Sequence, residues 1–145
     1  MTVINTARSP ALHAAVALLD AAGLPSSDLT EPLLEHFLFC GPRDDPTGLV
    51  GLELHDRVAL LRSLAVAPNA QGSGLGSALL EQAEGYAYAQ GVRSLYLLTT
   101  TAERFFMGRG YRPASRESCP AAIRSTSEFS SLCPASSALL VKTWP

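Results

Sequence analysis

Two rhythms of apolar and polar positions run along the chain. The first is strand-like. Positions 49–54 and 58–66 are short, nearly continuous apolar runs, separated by the tight turn His55-Asp56-Arg57. A third such run, 36–40, leads into Gly41-Pro42-Arg43-Asp44-Asp45-Pro46-Thr47-Gly48, which is dense in turn chemistry. Three runs at this spacing predict an antiparallel meander. The second rhythm is helical. Leu12, Val16 and Leu19 mark one face of a helix over 10–22, with Ser9 as its cap, Pro10 in its first turn, and Gly23 and Pro25 ending it. Leu75, Leu79, Ala83 and Tyr86 mark a longer helix over 75–90, stopped by Gly91.

Weaker signals fill the rest. Strands are predicted at 2–7, 94–98 and 138–141, with another beginning at Tyr111, and a short helix is predicted over 29–35. Thr100 and Glu103 have capping-box spacing for a short helix through Phe106. Residues 113–137 are serine-rich, carry Pro113, Pro120 and Pro134, yet hold Ile123, Phe129 and Leu132; so long a segment without a clear period predicts a functional loop or lid. No repeat and no domain boundary is visible, so one domain over 1–145 is expected.

Composition narrows the function classes. Of 145 residues 47% are apolar, enough for a core, and a formal net charge of −2 gives no electrostatic footprint for nucleic acid or an anionic membrane. No apolar run reaches the ~18 residues of a spanning helix. The opening Met1-Thr2-Val3-Ile4-Asn5 lacks a basic start and long apolar stretch. Cys40, Cys119 and Cys133 are odd in number and widely spaced, which argues against a disulfide framework and for a cytoplasmic setting. They also lack the close thiolate or histidine sets of a metal site, and no metal is expected.

Candidate chemistry centres on Gln71-Gly72-Ser73-Gly74-Leu75-Gly76, between the run 58–66 and the long helix. Bare backbone at a helix start, where the first amides have no intrahelical partners and the peptide dipoles converge, suits a phosphate or pyrophosphate. The dinucleotide fingerprint Gly-x-Gly-x-x-Gly is missed, because Ser77 stands at its last position and Tyr96 and Leu97 where its acidic residue belongs; no Gly-Lys-Ser/Thr follows for a P-loop.

The order strand, glycine turn, long helix, strand, short helix, strand resembles the GNAT superfamily of acyl-CoA-dependent N-acyltransferases. Gln71, Gly74 and Gly76 match its Gln/Arg-x-x-Gly-x-Gly/Ala signature, preceded by Leu64-Ala65-Val66-Ala67-Pro68; Ala102, Phe105, Phe106, Gly110 and Tyr111 resemble its Ala-x-x-Phe-Tyr-x-x-x-Gly-Phe segment. Within that superfamily the arsenic-resistance N-acetyltransferase group is similar at 59–66, 97–102 and 128–134. The resemblance implies an α/β (α+β) fold: a mixed, mostly antiparallel sheet of about six to seven strands, helices on both faces, and a V-shaped splay between strands 58–66 and 94–99. It implies acetyl-CoA bound in that splay, its pyrophosphate on the amides of Gln71, Gly72, Ser73, Gly74, Leu75, Gly76 and Ser77. The pantetheine arm would pair with the backbone of Leu64, Ala65 and Val66, and the thioester oxygen would face an N–H near Leu64. Phe105 and Phe106 would lie beside the thiol end. A small-molecule amine would attack directly in a ternary complex, an amino acid or its arsenic- or phosphorus-bearing analogue being the candidate acceptor. A homodimer through the final strands follows by the same analogy.

Two family features are missing. Phe106 stands where many members have a proton-donating tyrosine, and the strand before the glycine turn carries no carboxylate. Candidates for the base are then Glu53, His55 and Glu128. Period-two alternation puts Gly51, Glu53 and His55 on one face, His55 beside the turn and toward the surface. Arg62, inside an apolar strand, needs a partner: a substrate carboxylate, Glu53 or Glu128, in a catalytic role or as a structural ion pair. Thr100, Arg124 and Glu128 are candidate acceptor contacts. The missing groups also leave open a non-catalytic acyl-CoA-binding sensor.

Overall fold

A computed structural model describes residues 3–145, so the first residue of the strand predicted at 2–7 lies outside the described residues. Seven strands form a mixed sheet in the order β1-β2-β3-β4-β5-β7-β6. They are β1 (Ile4–Asn5), β2 (Phe37–Cys40), β3 (Gly48–His55), β4 (Val58–Val66), β5 (Ser94–Thr99), β6 (Arg112–Pro113) and β7 (Ala138–Thr143). The helices are α1 (Leu12–Ala21), α2 (Leu75–Ala89), α3 (Glu103–Met107) and α4 (Ala121–Arg124). Chain contacts divide the molecule into two compact units, one of residues up to Glu53 with Leu61–Tyr86, the other of Leu54–Leu60 with Ala87–Pro145.

In the first unit β1 pairs antiparallel with β2, and β2 with β3. The core gathers Leu19, Leu34, Phe37, Phe39 and Leu49. At the Phe37–Gly51 register pair, a Cβ built on Gly51 would run into the Phe37 ring. The bare glycine is the space that the ring fills. Gly51→Ala should therefore cost about 1–3 kcal/mol through overpacking, read as a lowered urea midpoint with an unchanged slope.

Helix α1 starts later than the sequence signals suggest. Ser9 makes no cap; Ala11 is the N-cap, in extended conformation, and its N–H donates to the carbonyl of Arg43 at 3.1 Å. That non-local bond satisfies the donor a side-chain cap would otherwise take. Its buried positions are Ala14, Ala15, Leu18 and Leu19, so Leu12 and Val16 sit at the margin of the stripe. The helix expected over 29–35 is a single 3₁₀ turn, Leu33–His36.

In the second unit the first three residues of β4 run parallel to β5, Val58 to Leu60 against Ser94 to Tyr96, and β7 pairs antiparallel with β5 along all six residues. The strand expected from Tyr111 is the two-residue β6 on the far side of β7. The capping box is not formed: Ala102 is the N-cap of α3, and its N–H donates to Thr99 Oγ1 at 3.0 Å, leaving Thr100 exposed. The segment 113–137 is ordered, holding α4 and a π-helical turn, Glu128–Leu132. Cys119 and Ile123 pack on Leu60 and Leu139, with Phe129 and Tyr96 at the margin. A four-residue helix and a π turn leave no 3.6-residue period, which is why the sequence showed none.

Candidate functional site

Strand β4 organises the first unit's polar residues. It is buried almost throughout its first two-thirds, as expected of a strand covered on both faces. Within it Ser63 takes a left-handed backbone, φ 60°. For a non-glycine residue in a strand this is a strained conformation, and it interrupts regular alternation. Arg62 and Ser63 are both buried, and the guanidinium Nε donates to Ser63 Oγ at 3.0 Å.

Arg62 is the centre of an ion cluster. Nη1 and Nη2 donate to the two carboxylate oxygens of Asp28 at 2.6 and 2.8 Å, an end-on fork, and Nη1 also donates to Glu53 Oε2 at 2.9 Å. The arginine side chain is 0% exposed, while Asp28 and Glu53 keep 16% and 14%. The three formal charges sum to one negative charge at the edge of a buried cation. Glu53 was foreseen as a partner; Asp28 was not, because it lies 34 residues away on the loop after α1, with no local pattern to mark it. Arg62 thus has two carboxylate partners within the chain and does not require a substrate carboxylate for neutralisation. Ser63 was missed as well, since nothing in the run 58–66 signals a left-handed residue.

Downstream, Gln71 Nε2 donates to the carbonyl of Val66 at 3.1 Å, tying the glycine turn to the strand end, and Ser73 Oγ donates to Ala70 at 2.6 Å. Gly72 and Gly74 have φ of 80° and 84°, and a Cβ on either would meet nothing within 4 Å. Open space and left-handed backbone immediately before Leu75 make a concave run of main chain at the N-terminus of α2. Gln71, Gly72, Ser73 and Gly74 are exposed, Leu75 is buried, and Gly76 and Ser77 lie half-buried in the first helical turn. Leu64 and Val66 are half-buried, with Ala65 buried between them.

The remaining predicted residues belong to the second unit. Phe106 is buried, with its ring edge-on to both Phe105 and Tyr111 at centroid distances of 5.1 and 5.6 Å. The Arg109 guanidinium stacks on Phe105, 3.8 Å from its centroid. Arg124 is exposed, whereas Glu128 is buried and its Oε1 lies 3.8 Å from the Cys133 sulfur. Burial pushes the Cys119 thiol above its ordinary value, with Arg124 and Arg116 pulling the other way, and burial together with Cys119 raises Tyr96. Cys119 is thus a protonated, buried thiol near neutral pH. His55 departs from the surface position expected of it: it is half-buried, and its Nε2 is sealed from solvent without a hydrogen-bond partner.

Comparison with known proteins matches residues 13–111 to the acetyltransferase (GNAT) family. An amino-acid acetyltransferase of Pseudomonas fluorescens is 45% identical over 62 residues, covering 43% of this chain and 14% of that protein. One from Azotobacter vinelandii is 42% identical over 62 residues, with the same coverage. This chain therefore spans about a seventh of the curated relatives it matches. These relatives carry the amino-acid acetyltransferase name, not that of the arsenic-resistance group. The fold matches N-acetylglutamate synthase from Neisseria gonorrhoeae, solved with coenzyme A and N-acetyl-glutamate, at a TM-score of 0.82 and 24% identity over 99% of this chain and 35% of that one. A Mycobacterium tuberculosis protein solved with CoA matches at a TM-score of 0.79 and 18% identity over 99% of both chains. The chain belongs to the acetyltransferase (GNAT) family.

Proposed function

We propose that this chain transfers an acetyl group from acetyl-CoA to the amine of a small amino acid. The observation that carries the reading is the glycine turn. Gly72 and Gly74 are left-handed, open to a ligand, and placed at the start of a fifteen-residue helix, where a diphosphate finds main-chain donors and a favourable dipole. The backbone of Leu64, Ala65 and Val66, just upstream, is the segment along which the pantetheine arm would lie.

The acceptor nitrogen forms its bond to the thioester carbonyl carbon as the carbon–sulfur bond breaks, and the sulfur leaves as a thiolate that takes up a proton. Glu53 is the group for the ammonium proton: Arg62 fixes one of its oxygens at 2.9 Å, and the side chain stays partly exposed. Phe106 has no proton to give the thiolate, so water serves that role. Glu53→Gln should lower kcat about a hundredfold and leave the Kd for acetyl-CoA unchanged. Retained turnover with the same pH profile removes Glu53 from the role.

Acceptors in this class include arsenic- and phosphorus-bearing amino-acid analogues, which present the same α-amine. Thr100, Arg124 and Glu128 remain candidate acceptor contacts. A screen of amino acids and these analogues, followed by release of free CoA, tests the reading. Binding of acetyl-CoA without turnover of any amine favours a sensor. Sedimentation tests the homodimer through the final strands, where β6 covers only Leu140 and Val141 of the six-residue β7.

A further inference from the structure

The Asp28–Arg62–Glu53 cluster carries a consequence for which amino acids are accepted, and this consequence rests on the reading above. An arginine on the strand before a donor site has the fork geometry to take a carboxylate from a second acid on the acceptor. Here that fork is already occupied. Asp28 receives both terminal nitrogens, Nη1 to Oδ2 and Nη2 to Oδ1, while Nε goes to Ser63 and Nη1 is shared with Glu53. An acidic side chain arriving at this place must displace a carboxylate held at 2.6 and 2.8 Å, and it meets a cluster that is already one unit negative.

We infer that Asp28 is a specificity-determining residue. By taking both terminal nitrogens of the guanidinium, it excludes acceptors that carry a second acid. It leaves the exposed edge of Glu53 to receive a positively charged amine. Asp28 acts through Arg62 and does not touch the reacting atoms, so it is a positioning residue.

Glutamine and glutamate are the probe pair, because they share shape and differ in one charge. The wild-type chain should prefer glutamine in kcat/KM by at least about tenfold, the scale of one hydrogen bond to a charged group. Asp28→Asn, which keeps the side chain's shape and removes its charge, should move that ratio toward glutamate by about tenfold while the Kd for acetyl-CoA stays the same. If the variant fails to fold, the wild-type ratio decides alone. Equal use of the two amino acids by the wild-type chain overturns the inference, as does a folded variant with an unmoved ratio. If neither amino acid turns over, the proposed reaction is decided separately by the wider amine screen. The same comparison is then made by equilibrium dialysis of labelled glutamine and glutamate against both proteins. A folded variant that binds no glutamate overturns the role given to Asp28.

Discussion

Aspartate in place of Gly74 should weaken acetyl-CoA binding about a hundredfold, with the melting temperature lowered by no more than about 5 °C. The separation of the two effects follows from the local geometry. Gly74 has φ 84°, and a Cβ there meets nothing within 4 Å, so the folded chain has room for a side chain. The backbone cost is about 1 kcal/mol, since aspartate is among the residues that tolerate a left-handed conformation. The charge is another matter. It would sit where the dipole of α2 and the turn amides favour an anion, and it would repel the diphosphate at short range. Gly74→Ala separates the terms: it carries at least as much backbone strain without the charge and should weaken binding only several-fold. Titration calorimetry with acetyl-CoA checks both. Unchanged affinity in a folded Gly74→Asp protein would falsify the assigned site.

Methionine in place of Arg62 should destabilise the fold by about 3 kcal/mol and remove most turnover. The guanidinium is wholly buried and holds both Asp28 and Glu53. Without it two carboxylates face each other near a low-dielectric interior, neither with its cation. Their residual exposure, 16% and 14%, lets water relieve part of the penalty, which keeps the loss near the low end for a broken buried pair. Acid should narrow the gap to the wild-type chain, because protonating one carboxylate ends the repulsion. Arg62→Lys restores the charge but not the fork, and should recover about half of the lost stability. Urea unfolding at pH 7 and at pH 4.5 reads all of this. A variant as stable as the wild-type chain at both pH values would remove the cluster from the account of the fold.

What the sequence made legible was set by how local the determining forces are. β4 is found where it was predicted, Val58–Val66, because a run that is apolar except for Arg62 and Ser63 lies between a two-residue turn and Pro68. Helix α2 begins at the predicted Leu75, because the preceding glycines permit the turn that starts it. Two of the misses come from long-range bonding and one from a neighbouring side chain. Ser9 looks like a cap, yet the carbonyl of Arg43, far along the chain, takes the Ala11 donor. Thr100 has capping-box spacing, yet Thr99 supplies the oxygen. Asp28 sits in a loop without pattern, and only folding brings it to Arg62. Family motifs name individual residues for the proposed donor site, because recognition by main chain and a short turn leaves a local sequence pattern. The Asp28–Arg62–Glu53 cluster is built from side chains that distant segments bring together, and there a single sequence shows less.

The place of β7 has a consequence for the birth of the molecule. β5 pairs along its whole length with Ala138–Thr143, and that partner is synthesised only after α3, β6 and the entire segment that follows them. During translation the hydrogen-bonding edge of β5 therefore waits roughly several seconds for its neighbour. An apolar strand held open for that time is a template for pairing with another nascent chain, so crowded ribosomes and slow codons between β5 and β7 should raise the yield of aggregate more than the same delay placed earlier in the message.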